Sequence, residues 1–235
     1  MKRSFWILFL LFFFGVSFAV TPFPSIKHHK VLLRASASPY LLESSFILAE
    51  DDTLKIEPGV EVFFSGYAKL FCRGTVDIEG SVKKPVAFRN ADSGESWNGI
   101  YLSTGDRFFI VKNLIVENAF RNTVVRSSGI FDNVKFVNNY YGLWVENSPK
   151  FDLVGGEFSR NRFALSVGAG TVRFRKIKFH DNVFGLYLSK GSTFDGDSLS
   201  VKGNLEADIR RESDELAGQG RRVSRSVWQR IEAGF

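Results

Sequence analysis

The chain has 235 residues, of which 44% are hydrophobic, and a formal net charge of +6 at pH 7. That size and hydrophobic content suffice for one domain with a large core. The basic residues are dispersed along the body of the chain, which argues against nucleic acid as a partner. The single cysteine, Cys72, excludes an internal disulfide and lies in a strand-like run, so we expect a small core residue in a fold held by packing.

Residues 1–19 have the pattern of a secretory signal peptide. Lys2 and Arg3 precede an apolar run, and Ala19 supplies a small residue at the expected cleavage site. The run is short for a bilayer span, which needs about 20 residues, so cleavage is favoured over a retained anchor helix. The sequence therefore predicts an exported protein of the periplasm, cell surface or medium, with no membrane span and a net charge lowered to about +4 by loss of the two basic residues.

Residues 20–44 contain two Pro- and Ser-bearing stretches, TPFPSIKHHK and SASPY. We interpret this segment as a lead-in whose later part covers the first turn of the next domain, because an uncovered solenoid end would expose strand edges and core. His28 and His29 have no metal-ligating partner at a useful spacing, and they are interpreted as a solvated loop.

Residues 45–204 form a repeat of 21 or 22 residues that is most regular in its second half. Alternating apolar and polar residues, as in GLWVEN and GLYLS, indicate short strands. A fixed period of strands and Gly-, Asn- and Ser-rich turns predicts a β-solenoid, in which equivalent residues of successive turns stack about 4.8 Å apart. One predicted column is a hydrogen-bonded asparagine ladder, and a second is a phenylalanine column in the core. The asparagines are Asn118, Asn139, Asn161, Asn182 and Asn204, and the phenylalanines are Phe131, Phe151, Phe174 and Phe194.

The earlier half of the repeat carries LKIEPGVEVFF, GTVDIEG, KPVAFRN and WNGIYL in that order. Followed by asparagine-ended turns, this order resembles the right-handed parallel β-helix proteins of the pectin-lyase-like superfamily found in bacterial envelopes. The resemblance covers roughly residues 45–204. It implies an all-β, single-stranded right-handed parallel β-helix of about seven coils. It implies little about activity, because the superfamily includes lyases, hydrolases, epimerases, adhesins and non-catalytic surface proteins.

The polar residues of the repeat do not form a recognised catalytic pattern. The combination of Asn-x-Asp, Asp-Asp and Gly-His-Gly that is typical of the hydrolases is missing, and so is the epimerase-type DPHD. We interpret Asp51-Asp52 as a turn, and the DGD stretch at Asp195 to Asp197 as a glycine turn rather than a calcium site. His180 lies beside the asparagine column without a matching Ser or Cys, so no triad can be argued. The sequence predicts neither a metal nor a cofactor.

One outward-facing column has a pattern that favours ligand binding. It lies five residues after the asparagine column and contains Tyr101, Thr123, Trp144, Ser166 and Tyr187. Its aromatic residues fall on alternate turns, about 9–10 Å apart, a spacing that lets rings stack under an extended polysaccharide. Glu146 lies on the same face and adds an acceptor. We therefore take Tyr101, Trp144, Glu146 and Tyr187 as candidate ligand-binding residues; the alternatives are aromatics covered by a loop or chosen for strand propensity.

Residues 205–235 depart from the repeat. Asp208 and Arg210 fall on core positions, so the solenoid must stop or slip its register there. The end of the chain then shows helical spacing, with an apolar face and an arginine-rich polar face. We interpret the segment as a C-terminal amphipathic cap or arm; the alternative is docking to a partner protein or an anionic surface. The apolar face contains Val223, Val227, Trp228, Ile231 and Phe235.

Taken together, these patterns favour a non-catalytic exported protein that binds polysaccharide or another envelope component through a flat β-face. Two alternatives stay open. One is a polysaccharide lyase or glycoside hydrolase with an atypical site, which the short turns disfavour because they leave few loops to build a cleft. The other is a structural or assembly protein that docks through its C-terminal arm.

Overall fold

The computed structural model describes residues 20–92, 96–197 and 199–212. In this part of the chain the protein is an all-β parallel solenoid of about eight turns, and its one helical element is a short 3-10 helix at Ala35–Ala37. The predicted signal peptide and the apolar face of the predicted arm lie outside the described residues. The arm residues concerned are Val223, Val227, Trp228, Ile231 and Phe235.

Twenty-two strands follow one another along the described chain. The first eleven are β1 (Thr21–Pro22), β2 (Lys30–Leu33), β3 (Tyr40–Leu42), β4 (Phe46–Leu48), β5 (Thr53–Ile56), β6 (Glu61–Phe64), β7 (Lys69–Cys72), β8 (Thr75–Glu79), β9 (Val86–Asn90), β10 (Gly99–Leu102) and β11 (Gly105–Lys112). The others are β12 (Leu114–Glu117), β13 (Arg121–Val125), β14 (Ser127–Val137), β15 (Tyr141–Glu146), β16 (Phe151–Ser159), β17 (Phe163–Ala169), β18 (Thr171–His180), β19 (Phe184–Leu188), β20 (Thr193–Asp197), β21 (Ser200–Val201) and β22 (Ala207–Arg211).

Each turn contributes two strand positions to one sheet and one strand to another. Sheet A has 14 strands, and sheet B has eight, in the order β22-β19-β17-β15-β13-β10-β7-β4. In the middle of the solenoid β14, β16 and β18 each cover both positions of sheet A, and each bends at a residue with positive φ: Asn133 (54°), Gly155 (61°) or Lys176 (57°). The pairings along both sheets are parallel, as in β15 with β17 and β16 with β18.

The core is one continuous cluster enclosed by the two sheets. Inward residues of equivalent positions lie on one another, and the rings of Phe136, Phe158 and Phe179 stack at centroid distances of 4.9 Å in each step. Cys72 is fully buried as a small core residue, and burial raises the pKa of its thiol. Packing between turns therefore replaces the disulfides that the composition excluded.

The predicted single phenylalanine column is wrong, because the register divides these residues between two neighbouring inward columns. In both columns a large ring on one turn tends to meet a smaller residue on the next. A Cβ on Gly129 would lie only 2.5 Å from the ring of Phe109, so this site needs glycine. One column contains Phe109, Gly129, Phe151, Val172 and Phe194, and the other contains Val111, Phe131, Leu153, Phe174 and Gly196.

The asparagine ladder forms as predicted for four of its five residues. Oδ1 of Asn139, Asn161, Asn182 and Asn204 accepts a hydrogen bond from the backbone N–H one turn earlier, at distances between 2.8 and 3.2 Å. Asn118 was assigned to the wrong column, since Ala119 is the residue that donates to Asn139. Asn118 instead pairs with Asn138, and both adopt positive φ at the corner of the turn.

Both ends of the described solenoid extend the predicted repeat. The segment 20–44 contributes β1 to β3, which pair with the following turns and account for eight turns where seven were expected. After Asn204 the register slips by one residue, so that Ile209 rather than Asp208 lies beside Leu186. The slip aligns Ile209, which is 46% exposed at the end of the described stack, with the core column of Leu186, aligns Arg211 with Leu188, and lets β22 continue sheet B.

Candidate functional site

The structure places the predicted outward residues in one register column of sheet B. Tyr101 pairs with Thr123, Trp144 pairs with both Thr123 and Ser166, and Ser166 pairs with Tyr187. We call this the Trp144 column. It continues through Phe71 and Ile47 at one end and through Arg210 at the other; these are three residues that the sequence analysis did not include.

A second aromatic column lies beside the first and was missed from the sequence. Tyr141, Phe163 and Phe184 occupy successive turns, and their rings stack at centroid distances of 4.9 and 5.0 Å with interplanar angles of 14° and 11°. We call this the Tyr141 column; Arg121 lies one turn earlier in it. The signal was present, because each of these aromatics follows an asparagine of the ladder by two residues.

The two columns interlock edge to face. Trp144 meets Tyr141 at a centroid distance of 5.7 Å and 83°, and Tyr187 meets Phe163 at 6.1 Å and 81°. Phe71 and Tyr101 add a stacked pair at 4.9 Å. Together these contacts make one aromatic layer, which we call the aromatic face; Tyr141 and Phe184 are buried in it, and the other rings are partly exposed. It consists of Phe71, Tyr101, Tyr141, Trp144, Phe163, Phe184 and Tyr187.

Glu146 and Gly168 fix the position of the Trp144 indole. The indole Nε1 donates to Oε2 of Glu146 at 3.4 Å, and the six-membered ring lies over Gly168, where a Cβ would come within 2.8 Å of it. Ser166 lies beneath, 1% exposed, with no hydrogen-bond partner for its Oγ in the described chain. Glu146 is therefore a residue that orients the indole as well as a candidate acceptor.

Cations surround the aromatic face. Lys69 Nζ lies 4.6 Å from the ring centroid of Tyr101, and the Arg210 guanidinium lies 5.3 Å from that of Phe184. Arg162 lies 5.5 Å from the ring of Tyr140, next to the Tyr141 column. Burial, together with the positive charge of Arg121, lowers the pKa of Lys69. Burial also raises the pKa of Tyr141 to about 12, so this phenol stays protonated and can donate.

His180 belongs to an ion cluster on sheet A. Its Nδ1 lies 2.7 Å from Asp181 and its Nε2 lies 3.1 Å from Glu157, which also pairs with Lys135 at 3.3 Å. The hydrogen bond to Asp181 raises the pKa of His180; burial opposes this, and Glu157 reinforces it. Because carboxylates occupy both ring nitrogens, His180 has no nitrogen left to activate a nucleophile.

Two other motifs have surroundings that the sequence did not show. The DGD stretch is part of strand β20 rather than a turn, and Asp195 and Asp197 line an open groove of about 540 Å³ with Arg173 and Arg175. His29 contacts Asp52 at 3.0 Å, so the histidine pair does have one acidic neighbour. Within the described residues no group of three or more His, Cys, Asp or Glu side chains is arranged to hold a metal ion.

Comparison with protein-family models, curated proteins and solved structures found no match. The fold supports the resemblance seen in the sequence at the level of the parallel solenoid. Because no comparison matched, membership in the pectin-lyase-like superfamily is not shown. In the described part of the chain, no helix has the length and apolar character needed to cross a membrane.

Proposed function

We propose that the protein is an exported, non-catalytic binding protein that holds a polysaccharide on the aromatic face of sheet B. The observation that carries this proposal is the pair of interlocked aromatic columns on one side of a regular sheet. Export is supported by the pattern of residues 1–19.

The geometry of stacked turns suits an extended chain of sugar rings. Equivalent residues rise by about 4.8 Å per turn, so Trp144 and Tyr187, two turns apart, present rings at an interval of about 10 Å. The small residues Thr123 and Ser166 alternate with the rings and keep this column low between them. Rings whose edges are already packed against neighbours lose little side-chain entropy when a ligand stacks on them.

The chemistry of the face favours binding over hydrolysis. A hydrolase needs a pair of carboxyl groups flanking the scissile bond. Among the described carboxylates, only Glu146 is hydrogen-bonded to a ring of the aromatic face. That hydrogen bond holds Trp144. The cluster of His180, Glu157 and Asp181 lies on sheet A, on the other sheet of the solenoid.

The test is retention of the full-length protein on a panel of neutral and acidic polysaccharides, with polysaccharide chain length measured in the same samples. We expect retention without shortening. The triple substitution Tyr101→Ala, Trp144→Ala and Tyr187→Ala should weaken retention at least about tenfold, since each stacked ring contributes on the order of 1 kcal/mol.

The matched control removes outward apolar side chains from sheet A, by Phe63→Ala with Ile130→Ala, and should leave retention unchanged. Thermal unfolding of both variants checks that the solenoid is intact. Shortening of a polysaccharide by the wild type would replace the proposal with an enzymatic function. Equal retention by the wild type and the triple variant would remove the aromatic face from it.

A further inference from the structure

Two guanidinium groups bracket a pair of tyrosines at the edge of the aromatic face. Arg121 pairs in register with Tyr141 from the preceding turn. Arg162 comes from the following turn, and its guanidinium lies 5.5 Å from the ring centroid of Tyr140. Both cations act electrostatically on Tyr141, and Arg121 also acts on Lys69, which lies on the same side of the sheet. The three cations thus lie on alternate turns along sheet B, with Arg162 just before its strand.

These three cations lack the carboxylate partners that several cations have on the other sheet. On sheet A, Lys55 pairs with Asp77 at 3.0 Å and Arg173 pairs with Asp152 at 2.7 Å. On sheet B, neither Arg121, Arg162 nor Lys69 forms an ion pair with any described carboxylate. Both arginines are exposed, so a ligand can reach them.

A polar group on the ring beside Arg162 is also without a partner. The hydroxyl of Tyr140 is buried, and it has no hydrogen-bond partner in the described chain. Buried hydroxyls are normally paired, because an unpaired one costs desolvation free energy. The rings of Phe120 and Tyr140 stack at 5.2 Å and keep this phenol in place.

We propose that the ligand on the aromatic face is an anionic glycan, and that Arg121 and Arg162 bind its carboxylate, phosphate or sulfate groups beside Tyr140 and Tyr141. This inference rests on the proposed function and adds the charge of the ligand to it. The planar guanidinium fork matches all three oxyanions bidentately, and such charge-assisted hydrogen bonds are stronger than neutral ones. Next to an apolar aromatic surface the attraction is screened less than in bulk water.

The experiment measures affinities of the full-length protein for matched glycan pairs: a uronate polymer and its carboxyl-reduced form, and a phosphorylated or sulfated glycan and its neutral form. We expect each anionic member to bind about tenfold more tightly at low salt, and the difference to shrink as ionic strength rises. Comparing the uronate pair with the phosphorylated or sulfated pair identifies which oxyanion is preferred.

The diagnostic variant is Arg121→Gln with Arg162→Gln, which should lose the preference for the anionic member and keep its affinity for the neutral one. The matched control, Lys112→Gln with Arg175→Gln, removes the same charge from the outward side of sheet A and should keep the preference.

Equal affinity of the wild type for both members of every pair would overturn the anionic ligand and leave glycan binding standing. An equal loss of preference in the control variant would also overturn it, because net charge alone would then explain the preference. Failure to bind any glycan would overturn both proposals. Vesicles containing anionic lipid serve as a further arm, and binding to vesicles alone would replace the glycan with a membrane surface.

Discussion

Sheets A and B share one backbone repeat and one core, yet their outward sides are chemically different. The outward side of sheet A carries acidic and basic residues that pair across turns, as Lys55 does with Asp77 and Lys135 with Glu157. The outward side of sheet B carries stacked rings and cations without carboxylate partners. In a solenoid the inward columns are fixed by packing, whereas each outward column is free to vary as a unit. Sheet B, where stacked rings lie beside cations without carboxylate partners, is therefore the side on which we expect binding.

Disrupting the asparagine ladder, which belongs to the core that the two sheets share, should have the largest effect on stability. Asn161 is buried, accepts hydrogen bonds from the backbone N–H and Nδ2 of Asn139, and donates to Asn182 and to the Phe136 carbonyl. Asn161→Ala leaves these groups unpaired within the core, so we expect a loss of about 2–4 kcal/mol in the free energy of unfolding. Chemical denaturation followed by circular dichroism measures it.

The control for that substitution is Asn98→Ala, at a partly buried asparagine whose side chain makes no hydrogen bond in the described structure. We expect its effect to stay within about 0.5 kcal/mol. Equal destabilisation by the two substitutions would show that the ladder does not stabilise the stack.

A smaller effect on stability is expected from a substitution that alters only the outward side of sheet B. Gly168 has an ordinary backbone conformation, and its missing Cβ makes room for the Trp144 indole. Gly168→Ala should push the indole away from Glu146, change the tryptophan fluorescence and weaken glycan binding about fivefold, at a cost in stability of about 1 kcal/mol. Ala169→Ser is the neighbouring control. Changed fluorescence with unchanged affinity would mean that the indole position does not matter for binding, and unchanged fluorescence would contradict the displacement of the indole.

The smallest effect on stability is expected at His180 on sheet A, and it depends on pH. The folded protein raises the pKa of His180 above its ordinary value of 6.5, so its stabilisation is full below that pH and is lost as the pH rises through the folded value. Because His180 is 39% exposed, we expect His180→Gln to cost only about 0.5 kcal/mol near pH 6 and almost nothing near pH 9.

Glu157 sets the lower end of the pH range over which the contribution of His180 can be measured. Burial raises its pKa, but the hydrogen bonds and charges of Lys135 and His180 outweigh burial, so its net shift is downward and its own contribution fades only at acid pH. His28→Gln, at an exposed histidine with no ion pair in the described chain, is the control for the substitution. A constant difference between wild type and His180→Gln across this range would contradict the ion cluster.

The sequence was sufficient for the fold, because stacked turns repeat the same inward pattern. The sequence-based prediction failed where the number of residues between equivalent positions of successive turns changes by one. From Phe108 to Arg121, paired residues of successive turns are 20 apart instead of 21 or 22, so Ala119 rather than Asn118 lies one turn before Asn139. The spacings between Phe131, Phe151, Phe174 and Phe194 are 20, 23 and 20 residues, and the Phe columns were merged because an approximate spacing does not show which of two inward positions a ring occupies. The candidate site was half predicted: the Trp144 column follows from alternation, but the unpaired state of Arg121 and Arg162 depends on which residues face them across turns.

The alternation of rings and small residues in the core also limits how the solenoid can grow. Phe109, Gly129 and Phe151 follow one another in one column, and Phe131 fills the neighbouring column at the level of Gly129. Duplicating a single turn would set ring against ring in one column and leave a gap in the other. A copy of two consecutive turns preserves the alternation. The smallest insertion that preserves this packing is therefore a pair of turns, although the sequence repeat corresponds to a single turn.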